Sequence, residues 1–542
     1  MANIKLPKKL FEKEIGKLDE KMQHKIAMFG TPVESITNDE LELEIFPDRP
    51  DLLSYQGFKR GFLAFLGKKT GLKTYKLNPP EKDFKVIVDA SVADVRPYTA
   101  CAIIKGLKFD DEKIKELIEI QEKLHTTVGR KRKKLAIGVY PLEKIKLPIT
   151  YKAMEPDKIK FTPLEMDREM NGLQILQRHP AGRDYAHLLA GKTKFPVFID
   201  ADNNILSMPP IINSQLTGKV SESTKDIFIE CSGFDLDILK KCLNILITTL
   251  AEMNGKVYQM EVMYKRKEIT PDLTPEKAKI SIENANKLLG LDLNEKQIKV
   301  LLEKMQYNYK SKTVEIPGWR TDIMHEVDLI EDIAIAYGYD NLVPEIPEIS
   351  TIGQEDPKET KKRKISDILS GLNMLEISNY HLTNKKEQFT KMGLGEKQEK
   401  GFIEVEESKT DFNILRKDLT HYAMKILSEN VDSEYPQKIY EIGKVFNNNP
   451  LEEQENLCIA LTPGNFTELK QVLEYLARML DIKLNLEEST DSPLWFISGR
   501  NAKIKLENKE IGFLGEIHPR ILKNWRIKMP VALLEINLKD IL

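Results

Sequence analysis

The chain has 542 residues, 41% hydrophobic and 31% charged, and its 82 Lys and Arg against 84 Asp and Glu leave a formal charge of −2. This is an ordinary globular composition with room for several domains of ~100–200 residues; it excludes a globally basic nucleic-acid binder, so any phosphate contact must come from local patches. No apolar run approaches the ~20 residues of a membrane span, the N-terminus has no export-signal pattern, and the four cysteines (Cys101, Cys231, Cys242, Cys458) include no C-x-x-C pair, so a cytoplasmic chain without zinc or disulfides is expected.

A first α/β domain is expected over 1–85. A charged helix at 10–28 turns at Gly30-Thr31-Pro32, and residues 41–46 alternate apolar with polar, as a strand does. Pro47-Asp48-Arg49-Pro50-Asp51 is a turn whose Arg49 and Asp51 read either as a local charge pair or as functional groups. A helix at 52–66 ends at Gly67.

A second domain is expected over 86–265, with strands at 85–89 and 96–104 and a helix at 110–124. Then come Arg130, Lys131, Arg132, Lys133 and Lys134, the densest positive patch; phosphate contact and a solvated loop both remain open. Residues 206–213 carry Pro209-Pro210 inside an apolar run, which cannot be a central strand because two amide donors are missing; such a segment makes a rigid wall beside Ser207 and Asn213. A strand at 227–235 ends in polar residues, where ligand contact and turn chemistry compete, and leads to a helix at 236–254.

Residues 268–345 read as a small winged-helix-like domain, with helices at 281–289 and 294–305. After the Pro317-Gly318 turn, Thr321 or Asp322 is the expected N-cap of a helix closed by Gly338. Val327, Ile330, Ile333, Ala334 and Tyr337 are its expected buried face. Asp328, Glu331 and Asp332 share another face, where like charges repel; a cation, a basic partner, RNA-bound magnesium or plain solvation could each answer them.

A Pro- and charge-rich linker near 344–360 opens the last domain, 346–542. Helices at 361–372, 418–429 and 468–480 alternate with runs of strands joined by short turns, an antiparallel α+β pattern. Gly191-Lys192-Thr193 is not a P-loop, since the first glycine position holds Ala186; His325-Glu326 lacks a second histidine, Leu329 standing there; and no G-x-S-x-G occurs. A self-contained active site is not evident.

Three sets of residues resemble the beta subunit of phenylalanine–tRNA ligase of the archaeal and eukaryotic type, and the likeness covers nearly the whole chain. The first is Arg320-Thr321-Asp322-Ile323 with the run Asp328 through Tyr339. The second is Asp48 through Leu53, with Gln121 through His125, Leu206 through Asn213 and Phe228 through Gly233. The third is Leu415-Arg416, Tyr440-Glu441-Ile442-Gly443 and Ile511 through Pro519. The absence of an N-terminal OB-type insertion and the end at Leu542 fit the shorter archaeal form.

The resemblance implies an α2β2 heterotetramer that charges tRNA(Phe), with ATP and phenylalanine handled mainly by the alpha subunit. The class II synthetase-like domain at 346–542 is then inactive. Gly393-Leu394-Gly395 is followed by Gln398 where the ATP-gripping pattern has arginine. The resemblance also implies that 86–265 is an editing domain that hydrolyses Tyr-tRNA(Phe). Ser207, Asn213, Glu230, Ser232 and Asp235 surround its pocket, Glu230 accepts from the phenol, and the nucleophile is water held by the terminal ribose and backbone amides. Phe234 departs from the smaller polar residue of relatives. A subunit that only assembles and binds RNA, its editing pocket decayed, is the alternative. Magnesium is assigned by the resemblance to Asp322, Asp328, Glu331 and Asp332; yet Asp322 lies ten residues from Asp332, roughly 15 Å along a regular helix, too far for one ion unless the first turn is unwound, so Asp322 fits an N-cap better.

Overall fold

The computed structural model describes residues 2–395, 400–488 and 493–542, so Gln398 lies outside the described residues. The chain forms two compact units, Met1–Ile346 and Pro347–Leu542.

In the first unit the strands Ala2–Pro7, Glu40–Ile45 and Val33–Ile36 form one antiparallel sheet in that order. The single helix expected at 10–28 is two, Lys8–Glu14 and Glu20–Met28. Gly16 interrupts it at φ +150°, and the Asp19 carboxylate accepts from Met22 N–H to start the second helix. Beyond them an eleven-stranded sheet is built around Ile227–Gly233, which pairs antiparallel with Tyr98–Lys105 on one side and Leu135–Pro141 on the other.

Every residue of Ile227–Gly233 is buried, because both faces are covered. Strand alternation sends Ile227, Ile229 and Cys231 into the core made with Leu243 and Leu246 of helix Leu236–Glu252. It sends Phe228 into a second core with Tyr140 and Phe198, and Glu230 and Ser232 follow Phe228 by the same period of two. Pro209-Pro210 sits in the turn between Ile205–Met208 and Ile212–Asn213 at the sheet's edge, where missing amide donors cost no ladder bonds.

Residues 276–337 fold as strands Glu276–Lys279, Thr313–Ile316 and Asn308–Lys310 with helices Ile282–Leu289, Glu295–Lys304 and Glu326–Tyr337. Phe58, Leu246, Leu302 and Ile333 belong to one continuous core, so the stretches 1–85, 86–265 and 268–345 share hydrophobic packing.

That packing encloses a charged cluster. Arg49 forks onto Asp51 at 2.9 and 3.0 Å, and Arg320 forks onto Asp322 at 2.8 and 2.6 Å. Arg320 also donates to Asp332 at 2.8 Å, and the Tyr307 hydroxyl donates to the same Asp332 oxygen. The capping expectation is therefore corrected: helix Glu326–Tyr337 is capped by His325, whose Nδ1 accepts from Val327 N–H, while Asp328 accepts from His325 N–H. Residues 320–325 are not helical, so the 15 Å separation does not apply, and Asp322 and Asp332 meet on one guanidinium. The buried face is corrected too. Val327 is 48% exposed and Asp332 is buried, because Arg320 and Tyr307 satisfy its carboxylate.

In the second unit a seven-stranded sheet runs Leu375–Glu376, Gln437–Asn448, Leu451–Thr462, Ala532–Asn537, Lys509–Ile517, Phe496–Leu506, Leu484–Glu488. It is antiparallel except at the first pair. Helices Pro357–Gly371 and Phe466–Met479 cover one face, Thr420–Glu429 and Pro519–Trp525 the other.

Arg320→Met leaves Asp332 buried without its partner. It should lower the unfolding free energy by about 3–5 kcal/mol, read as a shifted denaturant midpoint; Arg320→Lys should recover only part, because ammonium cannot fork. A midpoint unchanged in the Met variant would remove this cluster from the stability argument.

Candidate functional site

Helix Asp111–Thr126, the Ile205–Met208 hairpin and strands Leu135–Pro141 and Ile227–Gly233 enclose a cavity of about 660 Å³. Leu135–Pro141 is the outer strand of its sheet, so its outward backbone groups need partners. Helix Asp111–Thr126 supplies them: Gln121 Nε2 donates to Ile137 O at 2.9 Å, and His125 Nε2 accepts from Ile137 N–H at 2.7 Å. Gln121 and His125 are one helical turn apart, so both reach the same residue. Burial holds the His125 pKa below its ordinary value, which keeps the ring neutral and able to accept.

At the cavity floor stand Ser207, Asn213 and Glu230, with the buried Tyr140 hydroxyl behind them. The Tyr140 hydroxyl lies 2.7 Å from Ser207 Oγ, 3.3 Å from Glu230 Oε1 and 3.4 Å from Asn213 Oδ1. Ser207 and Asn213 face each other across the hairpin. Glu230 is 1% exposed and its Oε2 has no hydrogen-bond partner. Burial pushes its pKa up to about 8 against the opposing pull of Arg96, Ser232 and Tyr140, so near neutrality it is mostly a carboxylic acid. Gly138, opposite Glu230 in register, makes the room: a Cβ there would fall 2.2 Å from the Tyr140 hydroxyl and 2.5 Å from Glu230 Oε1.

The structure thus brings together Ser207, Asn213 and Glu230 of the expected pocket set. Ser232 is buried one strand period along, its Oγ accepting from Arg96 Nε at 3.3 Å, and does not line the cavity. Asp235 is the N-cap of Leu236–Glu252, accepting from Asp237 and Ile238 N–H. Phe234 lies 51% exposed under the Arg96 guanidinium, also off the cavity lining. Tyr140 and Gly138 were missed by sequence reasoning, because only the register of two distant strands sets them beside Glu230.

The basic loop divides. Arg132 reaches across the cavity mouth, donating to Ile211 O at 2.9 Å and Glu122 at 2.8 Å with its guanidinium over Tyr185. Arg130, Lys131, Lys133 and Lys134 are exposed, and Arg130, Lys131 and Arg132 all have positive φ.

On helix Glu326–Tyr337, Asp322 and Asp332 belong to Arg320, and one oxygen of Asp328 takes the Met324 and His325 amides, both at 2.7 Å. Glu331 is exposed, and its pKa is raised by partial burial and by Asp332, Asp48, Asp328 and Asp322. Among the described residues no group of three or more His, Cys, Asp and Glu side chains could hold a metal ion. The four acids do not fit a single magnesium cage, since a guanidinium already supplies the counter-charge to two of them.

In the second unit Arg416 is fully buried. It donates to Glu441 at 2.6 Å and to Lys444 O at 2.7 Å, and a Cβ at Gly443 would fall 2.4 Å from its Nη2. Tyr440-Glu441-Ile442-Gly443 therefore supplies the partner of Arg416 and the space it fills.

Two adjacent stretches of the chain match families of one class of protein, aminoacyl-tRNA synthetases. Residues 278–339 match the tRNA synthetase B5 domain, and residues 342–538 the phenylalanyl tRNA synthetase beta chain CLM domain. Curated relatives extend the likeness along the chain. The phenylalanine–tRNA ligase beta subunit of Pyrococcus furiosus is 40% identical over 508 residues, 91% of this chain and 90% of its own. That of Archaeoglobus fulgidus is 37% identical over 533 residues, 97% and 96%. The crystal structure of an N-terminal fragment of the Pyrococcus horikoshii phenylalanyl-tRNA synthetase beta subunit, 37% identical, superposes with a TM-score of 0.59 on 62% of this chain and 99% of the fragment. The chain belongs to the phenylalanine–tRNA ligase beta-subunit family, in its archaeal form.

The raised Glu230 pKa has a measurable sign. Between its ordinary value of 4.5 and about 8 the folded chain keeps a proton that the unfolded chain has lost. Stability supported by the protonated group is complete below pH 4.5 and declines as pH rises through that window. The unfolding free energy of the native chain relative to Glu230→Gln should fall at about 1.4 kcal/mol per pH unit there; a difference independent of pH would contradict it.

Proposed function

We propose that this chain is the beta subunit of a phenylalanine–tRNA ligase working with an alpha chain as an α2β2 assembly, and that its cavity hydrolyses tyrosine wrongly esterified to tRNA(Phe). The observation that carries the editing reading is Glu230 Oε2, an unpartnered carboxyl oxygen at the floor of the 660 Å³ cavity. A tyrosyl phenol satisfies it, and a phenylalanyl ring leaves it unpaired, which gives discrimination through a missing hydrogen bond. The protonated carboxyl can donate as well as accept, and it escapes the cost of a buried charge.

The Tyr140 hydroxyl lies against the other carboxyl oxygen and is itself held by Ser207, which steadies the group. Water adds to the ester carbonyl, the bond to the ribose oxygen breaks, and that oxygen takes the proton, releasing tyrosine. No nucleophilic side chain is required. Exposed Arg130, Lys131, Lys133 and Lys134 flank Arg132 in its loop and meet tRNA phosphates in this reading. ATP and phenylalanine are bound by the alpha chain; here Arg416, used internally by Glu441, is not available to a triphosphate. Magnesium at the acidic helix would be met from this chain by Glu331 and Asp328, with Asp322 and Asp332 remaining on Arg320.

In the purified two-chain complex, Glu230→Ala should slow Tyr-tRNA(Phe) deacylation at least tenfold while phenylalanine charging persists; unchanged deacylation would mark a decayed pocket and favour the assembly-only reading. Gly138→Ala, which crowds Glu230 and Tyr140, should do the same by filling the floor. Phenylalanine-dependent ATP–pyrophosphate exchange should be absent from the isolated chain, and its presence would overturn the division of labour. Glu331→Gln should weaken any magnesium-dependent rise in Tm of the complex, and an undiminished rise would move the ion elsewhere.

A further inference from the structure

Between the acidic helix and Pro357–Gly371 the chain reads Val343-Pro344-Glu345, Ile346-Pro347-Glu348, Ile349-Ser350-Thr351, Ile352. An aliphatic residue opens each of four successive triplets. Residues 342–356 form no helix or strand, and from 343 onward every one is exposed. Val343 is 83% exposed, Ile346 93%, Ile349 73% and Ile352 100%. Four aliphatic side chains at this exposure are more than the scattered apolar surface of a monomer.

The spacing tells how they are meant to be covered. A period of three fits neither the 3.6 of an α-helix nor the 2 of a strand, and it equals the three residues per turn of polyproline II. Pro344 and Pro347 fix φ near the polyproline value, bias the residues before them the same way and exclude a helix. At 3.1 Å per residue the four aliphatics would make one edge about 28 Å long. Glu345 and Glu348 would form a second, acidic edge, and neither glutamate has an ion-pair partner among the described residues.

We infer that residues 343–352 are a docking strap that lies as a polyproline II ribbon in an apolar groove of the alpha chain, with cations of that groove facing Glu345 and Glu348. The choice of occupant rests on the subunit reading above, which gives this chain an obligatory companion. A stiff extended ribbon loses little entropy on binding, so it suits a permanent contact.

The test uses the full chain with its alpha partner. Two variants are needed, Ile346→Ser with Ile349→Ser and Ile352→Ser, and a single alanine inserted after Glu348. The insertion keeps all four aliphatics and rotates the last two by about 120° from the first two. Both variants should keep the native Tm of the isolated chain and bind the alpha chain at least tenfold more weakly. Native affinity in both overturns the strap. Loss in the serine variant with native affinity in the insertion variant overturns the ribbon geometry. Self-association of the isolated chain that the serine substitutions abolish assigns the edge to a second copy and also overturns it. A native chain that fails to bind the alpha chain refutes the subunit reading itself.

Discussion

The first unit depends on a charge cluster that its apolar core would not tolerate unpaired. Arg320 is 4% exposed and forks onto Asp322 while reaching Asp332 on the next helix, and the Tyr307 hydroxyl donates to that same Asp332 oxygen. Arg49 makes the same fork onto Asp51 from a different part of the chain, and each arginine feels the other's charge. Burial alone raises the Asp51 carboxyl, but Arg49 together with Arg320 and Arg60 outweighs it and its pKa ends below the ordinary value. Two Arg-x-Asp turns, 271 positions apart, are thereby held in one electrostatic field inside one core. Buried pairs of this sort add little net stability over apolar packing and cost much when broken, so they act mainly to fix a single arrangement.

That arrangement frames the cavity. Helix Leu236–Glu252 ties to the Pro317-Gly318 turn through Asn244, which donates to Asp272 O and Gly318 O. Its opposite partner is the strand that carries Glu230. The strand's alternation then separates two roles within seven residues, Ile229 and Cys231 packing on the helix and Glu230 facing the cavity. The candidate chemistry is a by-product of period two: a polar residue can sit at the floor of a pocket only because its neighbours anchor the strand on the other face.

The second unit shows the same economy in a different use. Arg416 is buried and held by Glu441, Lys444 O and Asn379 O in the space left by Gly443. A guanidinium is thus part of the interior, paired with a carboxylate from the neighbouring strand. Glu535 nearby is pushed up to about 8 by burial and by Asp418, and its two oxygens are taken by Asn456 and the Leu419 amide. These polar groups are satisfied by the chain itself, as an interior requires.

The sequence by itself determined the locally encoded features. The Ile227–Gly233 strand, the helix after it, the Gly338 stop and the family signature at 320–339 follow from periodicity and turn chemistry within a short window. It also placed Ser207, Asn213 and Glu230 in one set through their resemblance to a family. Tertiary structure alone decided what depends on registry between distant segments: that Tyr140 and Gly138 stand beside Glu230, that Asp235 and Ser232 do not line the cavity, and that His125 serves an outer strand. It decided the acidic helix as well. Helical spacing treats Asp332 as a surface acid, and only the approach of Arg320 and Tyr307 from outside that helix makes its burial favourable.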